Sequence, residues 1–205
     1  MVLAAGCAAG CTAGRAAGPR AGLPRPALKP AAAAKPAAPA AQSGPESLSP
    51  EGIPTLLTIP ALGIKAPVVV TGTDPDDVPE TPPFDRPDEV GWYGRTASPG
   101  SDGASVIWGH LDTPKQTAVF LYLRDLRPGA EIRVDRDDDT EATFAVERVD
   151  TYPDEGFPSD VVYDDPGYPA LRLVTCGGAF DRKKRAYLST VVVFARLTAS
   201  GPSVH

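Results

Sequence analysis

Histidine is almost missing from this chain: there are two in 205 residues, and one of them, His205, is the last residue of a polar tail. Any acid–base chemistry that needs an imidazole inside a folded domain therefore rests on His110. Cysteine is nearly as scarce. Of three, Cys7 and Cys11 stand four apart in an Ala-rich leader, which leaves Cys176 without a partner in the rest of the chain and excludes a disulfide framework there. Apart from an apolar patch at the extreme N-terminus, no apolar run is long enough to span a bilayer as a helix. Basic charge is also short where it would matter. The formal net charge is −6, and residues 1–42 hold five basic residues and no acid, so 15 basic residues stand against all 26 acids in the remainder. An acidic globular part excludes nucleic acid as a partner, since phosphate binding needs a basic stripe.

What the first fifty residues do contain is Ala, Pro and Gly. Such a stretch offers few groups to pack and many prolines that stop a helix, so residues 1–50 are expected to be a disordered, extended tether. Its start, "MVLAAGCAAGC", is similar to a bacterial lipobox around Cys7 or Cys11, which leaves two readings: a truncated export or anchor signal, or an Ala-rich tail. Residues 51–200 form one domain by length, and 201–205 a short disordered tail.

Within that domain the periodicity is that of strands. Residues 55–70 are β-branched and apolar but broken by Pro60, Gly63 and Pro67, which predicts two short strands joined by a bend. Residues 104–110, 130–135, 140–150, 171–176 and 186–197 read as further strands, and "DRDDDTE" as the acidic turn of a hairpin. Only residues 117–126, "TAVFLYLRDL", carry helix-like spacing. Six or seven strands with Gly, Pro and Asp turns predict an all-β barrel or sandwich.

Two of those strands end on reactive side chains. "ASVIWGH" closes on His110 and "LRLVTC" on Cys176, so one rim of a sheet could hold both. A free thiol is mostly protonated at neutral pH and needs a base or a cation to become a nucleophile, which makes the only internal His and the only Cys outside the leader a candidate pair. The plainer alternatives stay open: a buried Cys acting as a small hydrophobe, and a His satisfied by local hydrogen bonds.

The residues "LTIPALGIKAPVV", "GASVIWGHLDT", "VFLYLRDLRPGAEIRV" and "LRLVTCGGAFD" appear in one order over about residues 55–197. Together they resemble the sortases, most closely the class F group of high-GC Gram-positive bacteria. The resemblance implies a closed eight-stranded β-barrel with one or two short helices. It also implies a cysteine transpeptidase without metal or cofactor, monomeric, at the extracellular face of the cell membrane, tethered by the N-terminal segment. Cys176 would attack the Thr–Gly carbonyl of an LPXTG-like signal on a secreted protein, and an amine of a peptidoglycan precursor would resolve the thioester. His110 would serve as acid and base, and an arginine would hold the substrate and offset the oxyanion.

The arginine slot of the last strand holds Thr190 here, with Leu188 two positions earlier, and neither is basic. Arg185, nine residues after Cys176, keeps a spacing found in related groups, with Arg182 as the alternative and a solvated basic loop as the plainer reading. Thr175 would hydrogen-bond substrate or backbone. Gly177 and Gly178 would let the chain turn sharply past the nucleophile, and Asp112 would orient the imidazole or occupy an exposed turn. Trp92 and Tyr93 precede the His strand and are explained equally by packing. Two other classes remain in view: an L,D-transpeptidase-like cell-wall enzyme, whose motif "LVTCGG" does not match, and a non-catalytic surface display module.

Overall fold

The computed structural model describes residues 50–74 and 79–203. The expected tether, Cys7, Cys11 and His205 lie outside the described residues. Eight strands form the domain: β1 Pro54–Ile59, β2 Ile64–Thr71, β3 Val90–Tyr93, β4 Ala104–Gly109, β5 Glu131–Arg136, β6 Thr140–Pro153, β7 Ala170–Asp181 and β8 Ala186–Pro202. Their spatial order is β1-β2-β3-β4-β7-β8-β6-β5, and β1 pairs with β5 to close the barrel. Closure removes the open edges that a sheet would otherwise expose.

The bend predicted inside residues 55–70 is a 3-10 turn, Pro60–Leu62. Pro60 presets the turn, and Gly63 leaves it at φ 65°, where its N–H reaches the Pro60 carbonyl. Ile59 then pairs with Ile64 and the strands run antiparallel.

The helix expected over residues 117–126 is not formed. Leu121, Leu123, Asp125 and Leu126 each donate their N–H to the carbonyl three residues back, so the segment is a chain of tight turns with one 3-10 helix, Leu123–Asp125. The apolar spacing explains the difference. Phe120, Leu123 and Leu126 are all buried and lie three apart, the period of a 3-10 helix rather than of an α-helix. The α-helix among the described residues is α1, Ser159–Tyr163, in the connection between β6 and β7.

Alternation along β7 and β8 creates two cores. Leu171 and Leu173 of β7 and Val193, Ala195 and Leu197 of β8 point inward with Leu57, Ile59, Ile107, Ile132 and Phe144. Val174, Val192 and Phe194 point outward, where they meet Tyr93, Val106, Trp108 and Val162 of α1. A strand buried on both faces needs apolar residues at consecutive positions, which is the reason for the run Val191–Phe194 written as "VVVF". Trp92 joins the inner core and Tyr93 the outer one, so both serve packing.

β8 pairs Gly201 with Glu141 and continues to Pro202, carrying regular structure beyond residue 200. β7 does not end at Cys176, as the sequence suggested, but runs five residues further to Asp181. The sharp turn expected at Gly177 and Gly178 is instead a register shift between Gly177 and Phe180. Gly178 takes φ 74°, which a side chain would resist, and a Cβ on Gly177 would come within 2.7 Å of Val191.

Candidate functional site

β4 and β7 lie side by side and run parallel, with Ile107 opposite Leu173 and Trp108 opposite Val174. Side chains two residues apart on a strand share a face. His110 and Cys176 each stand two residues beyond the Trp108–Val174 rung, so the two chains deliver them to the same outer face at the same level. Adjacent paired strands are roughly 4.8 Å apart, and this pairing ends at the Trp108–Val174 rung. Gly109 is needed just before His110, because a Cβ there would meet the Phe120 ring at 2.4 Å.

The rest of that face follows from register. On β8, Thr190 is opposite Cys176 and Leu188 lies two residues further along. On β6, Tyr152 is opposite Thr190, and Asp154 follows just past the strand. Thr190 donates its hydroxyl to Asp154 Oδ1 at 3.4 Å.

His110 is 7% exposed. Its Nε2 lies 2.6 Å from the Pro82 carbonyl oxygen, and since a carbonyl only accepts, Nε2 carries the proton in this contact. Phe84 stacks on the imidazole with ring centroids 4.5 Å apart at 21°. Residues 82–84 therefore cover the imidazole. A cavity of about 330 Å³ is lined by Phe84, Asp85, Pro87, Thr113 and Lys115 among others.

The Cys176 thiol is pushed up to about 11, first by burial and then by the carboxylates of Asp154 and Asp112. At pH 7 only about one thiol in 10⁴ is then ionised. Resting Cys176 is a thiol, and its proton must leave as it attacks.

Asp112 does not hydrogen-bond His110. Its Oδ2 accepts a 2.5 Å hydrogen bond from the Tyr187 hydroxyl, which ties the loop after His110 to β8. Thr175 is 1% exposed and points inward, away from the face of Cys176. Gly177 is buried against Val191 on that inner side. Arg182 and Arg185 are both exposed in the turn that joins β7 to β8, and Arg185 has φ 53°. With the bulge between Gly177 and Phe180, four residues of β8 separate the Cys176–Thr190 pair from the Asp181–Ala186 pair, roughly 13 Å of strand. Burial raises the Asp154 carboxyl, and Lys184 of the turn lies near enough to lower it in part. Among the described residues, no three His, Cys, Asp or Glu side chains converge to hold a metal ion.

Four residues of the site carried no sequence signal: Pro82, Phe84, Asp154 and Tyr187. Each reaches the Cys/His face through a long-range pairing. Asp154 depends on the order β6-β8-β7, and the first two on a loop that folds back from β2.

The fold is a closed eight-stranded barrel that carries Cys176 on β7 and His110 just past the end of the adjacent strand β4. The sequence profile of the sortase domain matches residues 57–198. The chain belongs to the sortase family and is a sortase transpeptidase, an enzyme type that acts at the cell envelope on sorting-signal proteins and cell-wall amines.

Solved structures agree on the fold. The SrtA sortase from Actinomyces oris is 21% identical with a TM-score of 0.55, over 78% of this chain and 88% of that one. Sortase C-3 from Streptococcus pneumoniae is 16% identical with a TM-score of 0.55, over 76% of this chain and 67% of that one. Sortase A from Corynebacterium diphtheriae is 19% identical with a TM-score of 0.54, over 73% of this chain and 61% of that one. Comparison with curated protein sequences gives no match.

Proposed function

We infer that the chain is a class F-like sortase that cleaves an LPXTG-like signal between Thr and Gly and passes the acyl group to a peptidoglycan-precursor amine. The observation that supports this reading is the parallel pairing of β4 and β7 in register up to Trp108 and Val174, two residues before His110 and Cys176.

Cys176 Sγ attacks the Thr carbonyl carbon while its proton passes to His110. The tetrahedral intermediate collapses as the Thr–Gly C–N bond breaks, and His110 returns that proton to the leaving glycine amine. A thioester remains. The incoming amine attacks it, gives a proton to His110, and the departing sulfur takes that proton back. With Nε2 donating its proton to the Pro82 carbonyl, Nδ1 is the ring nitrogen with a lone pair to accept the thiol proton. Monomeric action and attachment to the membrane through the N-terminal segment complete the proposal.

The test is mass spectrometry of short LPXTG-type peptides incubated with and without candidate amines. Wild type should give the Thr–amine product and an acyl-enzyme adduct on Cys176, and Cys176→Ala should give neither. Cleavage by a folded Cys176→Ala protein at the wild-type rate would end the transpeptidase reading.

A further inference from the structure

The β7–β8 hairpin ends in four consecutive basic residues, Arg182, Lys183, Lys184 and Arg185, all exposed. They are four of the 15 basic residues that follow residue 42, in a region with 26 acids. Elsewhere, Arg86, Arg124, Arg133, Arg136, Arg148 and Arg196 each pair with a neighbouring carboxylate. Among the described residues, none of the four hairpin cations forms an ion pair within 4 Å.

The turn that presents them is braced. Asp181 Oδ1 accepts the N–H groups of Lys183 at 2.7 Å and Lys184 at 3.1 Å. The acid inside the loop is thus engaged with backbone. Next to the cations stands an apolar group. Phe180 is 51% exposed and packs edge-on against Tyr187 with centroids 5.2 Å apart.

We propose that this hairpin tip is a docking surface for the anionic phospholipid headgroups of a membrane, holding the barrel with its Cys/His face at a fixed height above the bilayer. Charge selects the tip. An acidic body is repelled by an anionic surface, so the approach that places basic residues first is the favourable one. Geometry makes the selection effective. The screening length at physiological salt is about 8 Å, and the strand between the Cys176–Thr190 pair and the turn is roughly 13 Å long. Acids farther from the tip than that length are screened from a surface it touches, and the barrel carboxylates linked to the tip are Asp112, which accepts from Tyr187, and Asp154. Lys184 is partly shared with the Asp154 carboxylate, so Arg182 and Lys183 are the main contacts and Lys184 the third.

Phe180 decides between a bilayer and a soluble polyanion. A dissolved polymer of phosphate or carboxylate gives an exposed phenyl ring nothing to bury. A bilayer interface does, and aromatic residues flanked by cations settle at that depth. Phe180 is two residues from Arg182, close enough for ring and charge to share one interfacial layer.

Co-sedimentation of the full-length chain with vesicles tests the proposal. One set is phosphatidylcholine alone and the other carries about one third phosphatidylglycerol. Wild type should bind the anionic vesicles at least tenfold better than the neutral ones. Joint replacement Arg182→Gln, Lys183→Gln and Lys184→Gln should remove most of that preference, and Phe180→Ser should weaken binding at least threefold with circular dichroism unchanged. The basic residues of the N-terminal segment are present in every variant, so a loss is assigned to the tip. Equal binding by wild type and the triple variant overturns the proposal. So does soluble polyglutamate competing as well as phosphatidylglycerol vesicles with no effect of Phe180→Ser, which would assign the tip to a dissolved polyanion.

Discussion

The Tyr187 hydroxyl donates to Asp112 across 2.5 Å and so links β8, the strand facing Cys176, to the loop that leaves His110. The Tyr187 hydroxyl is raised to about 12, by burial first and then by Asp112, so the donor stays protonated through the neutral range. Tyr187→Phe keeps the ring against Phe180 and removes only the bond. The site is partly exposed, so the loss should be about 1 kcal/mol, below the range for fully buried bonds to charged groups. Peptide turnover should fall about threefold to tenfold, through kcat more than KM. Urea unfolding and steady-state kinetics on the same preparations measure both.

Thiol labelling reads the environment of Cys176. A thiol near 11 in place of 9.0 has about 100-fold less thiolate at neutral pH, and the more basic thiolate is intrinsically faster by roughly eightfold. Iodoacetamide should therefore modify Cys176 about tenfold more slowly than a free cysteine. Asp154 is the stronger of the two acidic influences. Asp154→Asn should speed labelling about twofold to threefold, and Asp112→Asn less. A labelling rate above that of free cysteine would show that a cation reaches the thiol.

The barrel was legible in the sequence because its signals are local: β-branched runs, a Pro–Gly bend at Pro60 and Gly63, and polar alternation in β5 and β6. Cys176 and His110 were singled out for a different reason, scarcity, since one internal imidazole and one thiol outside the leader left few combinations. The short strand β3 was not legible, because its four buried residues carry no alternation. Asp154, Tyr187 and Phe84 were invisible because their roles arise from register between strands far apart in sequence. The false helix over residues 117–126 came from the similarity of periods three and 3.6 in a short window.

The thiol also contributes to the pH dependence of stability. Its folded pKa is raised above the unfolded value of 9.0, so the folded chain binds the proton more tightly. That contribution is complete below pH 9 and is lost as pH rises toward 11. A shift of this size corresponds to about 2–3 kcal/mol for a mostly buried group. Tyrosines titrate in the same window, so the comparison is with Cys176→Ala. The variant should lose less stability than wild type between pH 8 and pH 10.5 in urea unfolding. Parallel losses in the two proteins would place the thiol in water.

Residues 82–84 bear on the rate. Phe84 is 62% exposed yet stacks on His110, so its contribution lies mainly in that contact. An aromatic pair of this kind is worth about 0.5–1.5 kcal/mol. If the cover must leave before His110 acts, Phe84→Ala should raise kcat/KM for a short peptide about twofold to tenfold while global stability changes little. A fall in kcat/KM would make Phe84 a contact of the bound peptide instead.

The arginines give the sharpest division. Arg185 fits the nine-residue spacing from Cys176 and sits exposed in the turn that joins β7 to β8, while β8 places Thr190 opposite the thiol and Leu188 two residues further along. With the turn placed as it is, Arg185→Ala and Arg182→Ala should each lower kcat/KM for a soluble peptide by less than threefold. Loss of a preformed oxyanion donor would cost about 10²–10³. Arg185 also holds φ 53°, a conformation glycine adopts freely, so Arg185→Gly should stabilise the fold by about 1 kcal/mol. Kinetics and thermal melts on the three variants decide between two arrangements. Silent alanine variants with a stabilised glycine variant mean that the oxyanion is held by backbone N–H groups near Cys176. A loss of 10² or more at either arginine means that the hairpin folds over the bound peptide and carries that guanidinium to the carbonyl.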